Sequence, residues 1–225
     1  MSERERARAT PLVSSDGTAL TATLGLAAAA WVASLWQMNG MDMGVETQLG
    51  SFGFFVVVWA SMMAAMMLPG AAPAVIRRAR ARGRGRAVPF FVVPYLGIWT
   101  LAGIAVYAVY RPHGTVAAGV VVIAAGVYEL TPLKQHFRLR CRTSMGSGFG
   151  FGLSCVGSSI GLMLMLVMLG IMSIAWMAVI AVLVLVQKLV AAKVAIDLPL
   201  ALAIVGLGIL IILAPSSLPG LTPAM

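Results

Sequence analysis

Seven apolar stretches, at about 18–38, 51–69, 88–110, 115–131, 149–170, 172–192 and 196–214, follow one another with only short polar connectors between them. Apolar runs of about 18 or more residues read as membrane helices, because a hydrocarbon core of ~30 Å takes about 20 residues at 1.5 Å each. The pattern predicts an all-α fold: a polytopic transmembrane helix bundle of six to seven helices. The fourth run is short and weakest at 126–133, and the boundary between the last two is blurred. The longest connector is the arginine-rich one near 77–87, and no repeat or paired broken helix is visible. One bundle over residues 18–214 is therefore expected, between a cytoplasmic basic tail (1–17) and a short outer C-terminal tail (215–225).

Composition agrees with this pattern. The 225-residue chain is 60% hydrophobic and 10% charged, with a mean hydropathy of +0.97. A soluble domain of this size cannot cover so much apolar surface. Charge then sets the topology. With the first run entering from inside, Arg4, Arg6, Arg8, the arginines of 77–86, Lys134, Arg138, Arg140, Arg142, Lys188 and Lys193 share one side, and Arg111 alone takes the other. That bias orients the N-terminus to the cytoplasm of a cell-membrane protein, with the lipid bilayer as first partner. The N-terminal segment also fits a cleaved signal sequence, but the long apolar run with Trp31 and Trp36 favours an uncleaved helix. "RRARARGRGR" has no aromatic residue to stack bases. It reads as a topology signal with anionic-lipid contact, not as a nucleic-acid site.

In the fifth run, Gly146, Gly150, Ser154 and Ser158 step by four, and Gly157 and Gly161 form a GxxxG pair. Small residues at that spacing let helix backbones approach in lipid, so this run is expected near the centre of the bundle. Two cysteines, Cys141 and Cys155, make no disulfide framework.

Candidate chemistry falls into two groups at opposite depths. The outer group comprises Met38, Met41, Asp42, Met43 and Glu46 of "MNGMDMGVE", with His113 on the next outer turn and Met172 at the outer hairpin. Thioethers select soft ions, above all Cu(I), while imidazole and carboxylate accept Cu(II). Interfacial methionines beside two acids also arise without any ligand. The inner group comprises Met62, Met66 and their neighbours Met63 and Met67, then Cys141, Cys155 and His136. Plain packing accounts equally for the methionines. Glu129, Lys134, Gln187 and Lys188 form a structural polar network at similar depth, with Glu129 expected to pair with Lys134 or Lys188. The two groups should stand about 30 Å apart and cannot ligate one ion; Met163, Met165, Met168 and Met177 lie between.

"WASMMAAMMLP", "YELTPLKQHFRLRCR", "CVGSSIGLM" and "GIMSIAWMAVIAVLVLVQKL" resemble, in order and spacing, an uncharacterised family of predicted metal-binding integral membrane proteins, over about residues 38–192. The resemblance implies metal binding through cysteines and methionines and lends weight to the methionine-rich outer loop. Four positions depart from the family pattern. Phe137 replaces one cysteine, Ser158 and Ser159 replace a cysteine pair, and Gln187 replaces a glutamate, while Cys141 and Cys155 are retained. A tetrahedral zinc thiolate site cannot be completed from two cysteines alone.

Two functions remain open. One is soft-metal handling, with copper held at the outer loop for delivery to a membrane or extracytoplasmic partner protein. The other is a non-catalytic scaffold subunit with no metal of its own. No serine–histidine–acid arrangement, phosphate loop or HExxH is present, so an enzyme is the weaker expectation.

Overall fold

Pro132 ends the fourth apolar run. A proline has no amide hydrogen and keeps the residue before it from helical geometry, so the helix stops at Glu129 and a second one starts past a two-residue break. Thr131 spans the break: its Oγ1 donates to Tyr128 O at 2.8 Å and accepts from the Lys134 amide at 3.3 Å. In the computed structural model, which describes residues 3–39, 49–82, 87–111, 113–143, 147–171, 173–190 and 194–215, this break is one feature of an all-helical chain. The described helices are α1 (Glu3–Met38), α2 (Phe52–Arg82), α3 (Ala87–Val109), α4 (Thr115–Glu129), α5 (Pro132–Thr143), α6 (Gly148–Gly170), α7 (Ile174–Leu189) and α8 (Val194–Leu213). No strand occurs among the described residues.

The helix count departs from the expected six to seven spans. Four segments, 17–38, 52–81, 88–109 and 148–170, are long and apolar enough to cross a bilayer, and α4 with α5 makes a fifth if that pair, bent by 64°, counts as one. α7 has only 16 residues, about 24 Å of rise, and the apolar part of α8 is similarly short. α1 begins at Glu3, and its apolar part starts at Gly17.

α5 corrects a second expectation. Its residues were expected in a basic connector, but they form a helix with inverted polarity. Lys134, Arg138 and Cys141, spaced i, i+4 and i+7, are buried, while Leu133 and Leu139 are exposed. Tyr128 Oη donates to Gly157 O at 2.7 Å, and the Phe137 ring fills the space over Gly157. The break therefore lies level with Gly157, nine residues into α6, or about 13 Å from that helix's start. Glu129, the last residue of α4, adjoins this break.

α6 packs against α3, α4, α5 and α7, as expected of a central helix, while α2 packs against α1, α3 and α7. The expected GxxxG pair, Gly157 and Gly161, is in contact, and Ser154 and Ser158 of the four-residue stripe are buried. Gly148 lies on the Phe91 backbone, Gly152 on Ile98, Gly157 on Phe137 and Gly161 on Tyr128, whereas Gly150 faces open space beyond Ser147 and Gly146 lies outside the described residues. A reciprocal close contact joins α4 to α8. A β-carbon on Gly119 would sit 2.7 Å from Gly208 O, and one on Gly208 would sit 2.8 Å from Gly119 O.

Candidate functional site

α2, α3, α5, α6 and α7 converge on Cys155, which is fully buried. Tyr95 Oη lies 3.2 Å from Cys155 Sγ. The Cys141 thiol, from α5, and the Lys188 ammonium, from α7, lie near enough to Cys155 to interact with it electrostatically. Lys188 Nζ donates to Tyr95 Oη at 3.3 Å and to the Met67 thioether at 3.4 Å. Tyr95 Oη further reaches Met67 O at 3.5 Å. Local sequence explains the placement. The Lys188 stem lies against Gly70, where a β-carbon would collide with it. Tyr95 is held between Phe91 and Phe151, with ring centroids at 6.2 and 5.4 Å. Two thiols, one thioether and one ammonium thus meet in a buried space supplied by five helices. Among the described residues, no cluster of three or more His, Cys, Asp or Glu could hold a metal, so any ion held here takes sulfur from two cysteines and a methionine.

Next to this cluster, and facing the other way from α7, is a closed polar triad. Glu129 Oε2 accepts from Lys134 Nζ and, at 2.6 Å, from Gln187 Nε2. Lys134 Nζ donates at 3.0 Å to Gln187 Oε1. Glu129 therefore pairs with Lys134. Lys188, expected in the same network, belongs to the sulfur cluster instead. Gln187 stands where the resemblance puts a glutamate, and its amide serves both partners without adding a second buried negative charge. Arg138 continues the network to α8, binding Asp197 Oδ1 at 2.7 Å and the carbonyls of Gln187 and Val190. That link was not read from the sequence.

Of the outer candidates, the structure describes Met38 and His113. Met41, Asp42, Met43, Glu46 and Met172 lie outside the described residues. Met38 is buried, and it lies nearer the inner methionines than the expected separation of about 30 Å. Ser61 Oγ donates to Gln37 Oε1 at 3.3 Å, so α1 ends beside Ser61 and not beside the start of α2 at Phe52. Met38 thus sits only about 9 Å of helical rise above Met67, not a bilayer's width away. His113 has Nε2 3.1 Å from Met168 O and Nδ1 3.2 Å from Arg111 O, and its ring packs edge-on against Tyr110. Both nitrogens face carbonyls, which leaves no open imidazole for a ligand. Burial raises the neighbouring Tyr110 hydroxyl above its ordinary range. His136 is exposed.

Of the inner candidates, Cys141 and Cys155 come together, and all four methionines from Met62 to Met67 are buried. Met67, one residue past the expected Met66, makes the contact with Lys188. Sequence reading missed Tyr95, which carries no local motif, and Gly70, whose missing side chain makes room for Lys188.

A family model described as PpoB2, copper chaperone, matches residues 56–211, more than half of the chain. The chain belongs to this copper chaperone family. The matched stretch contains Met67, Tyr95, Cys141, Cys155 and Lys188, and begins after the 38–46 segment. Membership makes copper the ion to consider, and a metal-related family is what the cysteine and methionine motifs implied. No curated protein and no solved structure matches the chain significantly.

Proposed function

We propose that this protein is an integral membrane copper chaperone of the cell membrane that holds Cu(I) between Cys141 and Cys155, with Met67 as a third sulfur, and passes it to a partner protein. The carrying observation is that Cys141, from α5, and Cys155, from α6, meet beside a thioether and an ammonium. Sulfur donors suit Cu(I) by softness, and the thiolate is the ligand form. Charge supports the valence. Two thiolates and one Cu(I) sum to −1, and the Lys188 ammonium brings the buried total to zero. A divalent ion would leave a net +1 in the interior, which is costly. Copper moves here as cargo and no bond of a substrate is transformed, so the reading is not enzymatic.

The membrane part rests on inverted polarity. Val32, Trp36, Phe90, Val93, Val109, Leu202 and Leu213 are exposed, while Glu129, Lys134, Arg138, Gln187 and Asp197 are buried. Water would favour the reverse arrangement, and lipid favours this one. In this orientation the positive-inside bias puts the sulfur cluster on the cytoplasmic half. On the same bias the 41–46 segment is expected outside.

The test is Cu(I) binding to the detergent-purified protein, measured by competition with a chromogenic Cu(I) chelator. One ion per chain is expected. Cys141→Ser and Cys155→Ser should each weaken binding by about a hundredfold or more, since each removes a first-sphere thiolate. Met41→Leu with Met43→Leu should leave it within about threefold, because no ligand of this site changes. Full affinity in both serine variants, with loss in the leucine pair, would move the ion to the outer segment.

A further inference from the structure

A cavity of about 240 Å³ opens beside the thiol pair, lined in part by Gly70, Arg77, Cys141, Arg142, Ser158 and Lys188. We infer that it seats a small anionic thiol, a low-molecular-weight carrier bearing carboxylates, that exchanges Cu(I) with Cys141. The inference rests on the copper reading above and names the molecule that meets the site.

Three observations carry it. First, the cavity is the approach to the sulfur cluster: Cys141 is on its wall and 8% exposed, while Cys155 lies behind it at 0%. Cys141 is thus the first sulfur an incoming ion can reach. Second, the lining holds Arg77, Arg138, Arg142 and Lys188 and no carboxylate. Arg138 is neutralised by Asp197, and Lys188 is turned to Cys155 and Met67. Arg77 spends one donor on the Arg142 carbonyl at 3.3 Å, and a guanidinium has four more. Arg142 is exposed. Two guanidiniums at one mouth match the planar carboxylates of a small anion. Third, the volume lies just below the range of small-molecule sites and has no room for a folded domain.

Exchange is balanced without redox chemistry. The Cys141 sulfur bonds to Cu(I) as one carrier Cu–S bond breaks, and the Cys141 proton goes to the departing carrier thiolate. Cys155 then displaces the second carrier sulfur in the same way. Copper stays +1 throughout, and no oxidant or reductant is required. An anionic lipid headgroup shares the carboxylate or phosphate chemistry of the carrier but has no thiol to give up.

The experiment is stopped-flow transfer of Cu(I) to the full chain in zwitterionic nanodiscs, from its glutathione complex and from its β-mercaptoethanol complex. Arg77→Gln and Arg142→Gln should raise the half-saturating concentration of the glutathione complex about tenfold, as loss of a charge-assisted contact predicts. They should leave transfer from the uncharged thiol unchanged. Arg140→Gln, an exposed arginine outside the cavity, should alter neither. Equal losses for both carriers, no loss for either, or a dependence only on added phosphatidylglycerol would overturn the inference. Equilibrium Cu(I) binding by the arginine variants separates the two proposals. If it is absent even in the parent chain, the copper site itself is wrong. If it is present while transfer ignores carrier charge, only the carrier seat is wrong.

Discussion

Replacing Glu129 by glutamine keeps the shape of the triad and removes its negative charge. Glu129 and Lys134 are 3% and 2% exposed, so the ammonium cannot turn to water. After the change it keeps its bond to Gln187 Oε1 at 3.0 Å and an amide oxygen at position 129, both neutral acceptors. Breaking a buried ion pair costs about 3–5 kcal/mol. The surviving bonds to a charged group return part of the usual ~1.5–3 kcal/mol, so a net loss of about 2–4 kcal/mol is expected. Glu129→Leu with Lys134→Met removes both charges together. It also removes Glu129 Oε1, which is buried with no partner and whose desolvation costs about 1–3 kcal/mol. The double variant should therefore unfold within about 1 kcal/mol of the parent, or later. Both are measured by titrating dodecyl sulfate into mixed micelles and following tryptophan fluorescence. A glutamine variant that loses less than about 1 kcal/mol, or a double variant worse than the single, would refute the view that charge pairing holds α4, α5 and α7 together.

Met67→Leu should lower Cu(I) affinity by about tenfold in chelator competition, while Met62→Leu should change it less than twofold, because a single thioether adds modestly to two thiolates; equal effects would remove Met67 from the ligand set. Gly119→Ala should destabilise the protein by about 1–3 kcal/mol through overpacking between α4 and α8. Gly25→Ala, with nothing within 4 Å, should be neutral or slightly stabilising in the same unfolding assay.

The helical class and the positions of the apolar segments were legible because long apolar helices announce themselves by composition over some twenty residues. The break after Glu129 was half-legible. The run was weakest at 126–133, and Thr131-Pro132 supplied the reason, but the depth of the break depended on Tyr128 meeting Gly157, a long-range contact. α5 escaped notice because Lys134, Arg138 and Cys141 look like a solvated basic linker when read one after another. Only packing against α6 turns that face inward. Cys141 and Cys155 could be named from sequence, but their meeting could not, because it depends on how α5 folds back along α6. The nearness of Met38 to the inner methionines escaped notice for the same cause: the distance between two helix ends follows from their register, which Gln37 and Ser61 fix, and not from the length of the loop joining them.

On the proposed copper site, the interruption at Leu130–Thr131 would make α5 an arm with Cys141 near the end joined to α6 and Cys155 on α6 itself. Ten residues separate Thr131 from Cys141, an arm of about 15 Å, so a swing of roughly 10° about the pivot shifts the outer sulfur by some 2–3 Å. That is about one copper–sulfur bond length, enough to open or shut the jaws on an ion. The fastenings that resist the swing are the Lys134 contact near the pivot and the Arg138–Asp197 tie one turn further on, which makes a pair of salt links the latch on a metal clasp.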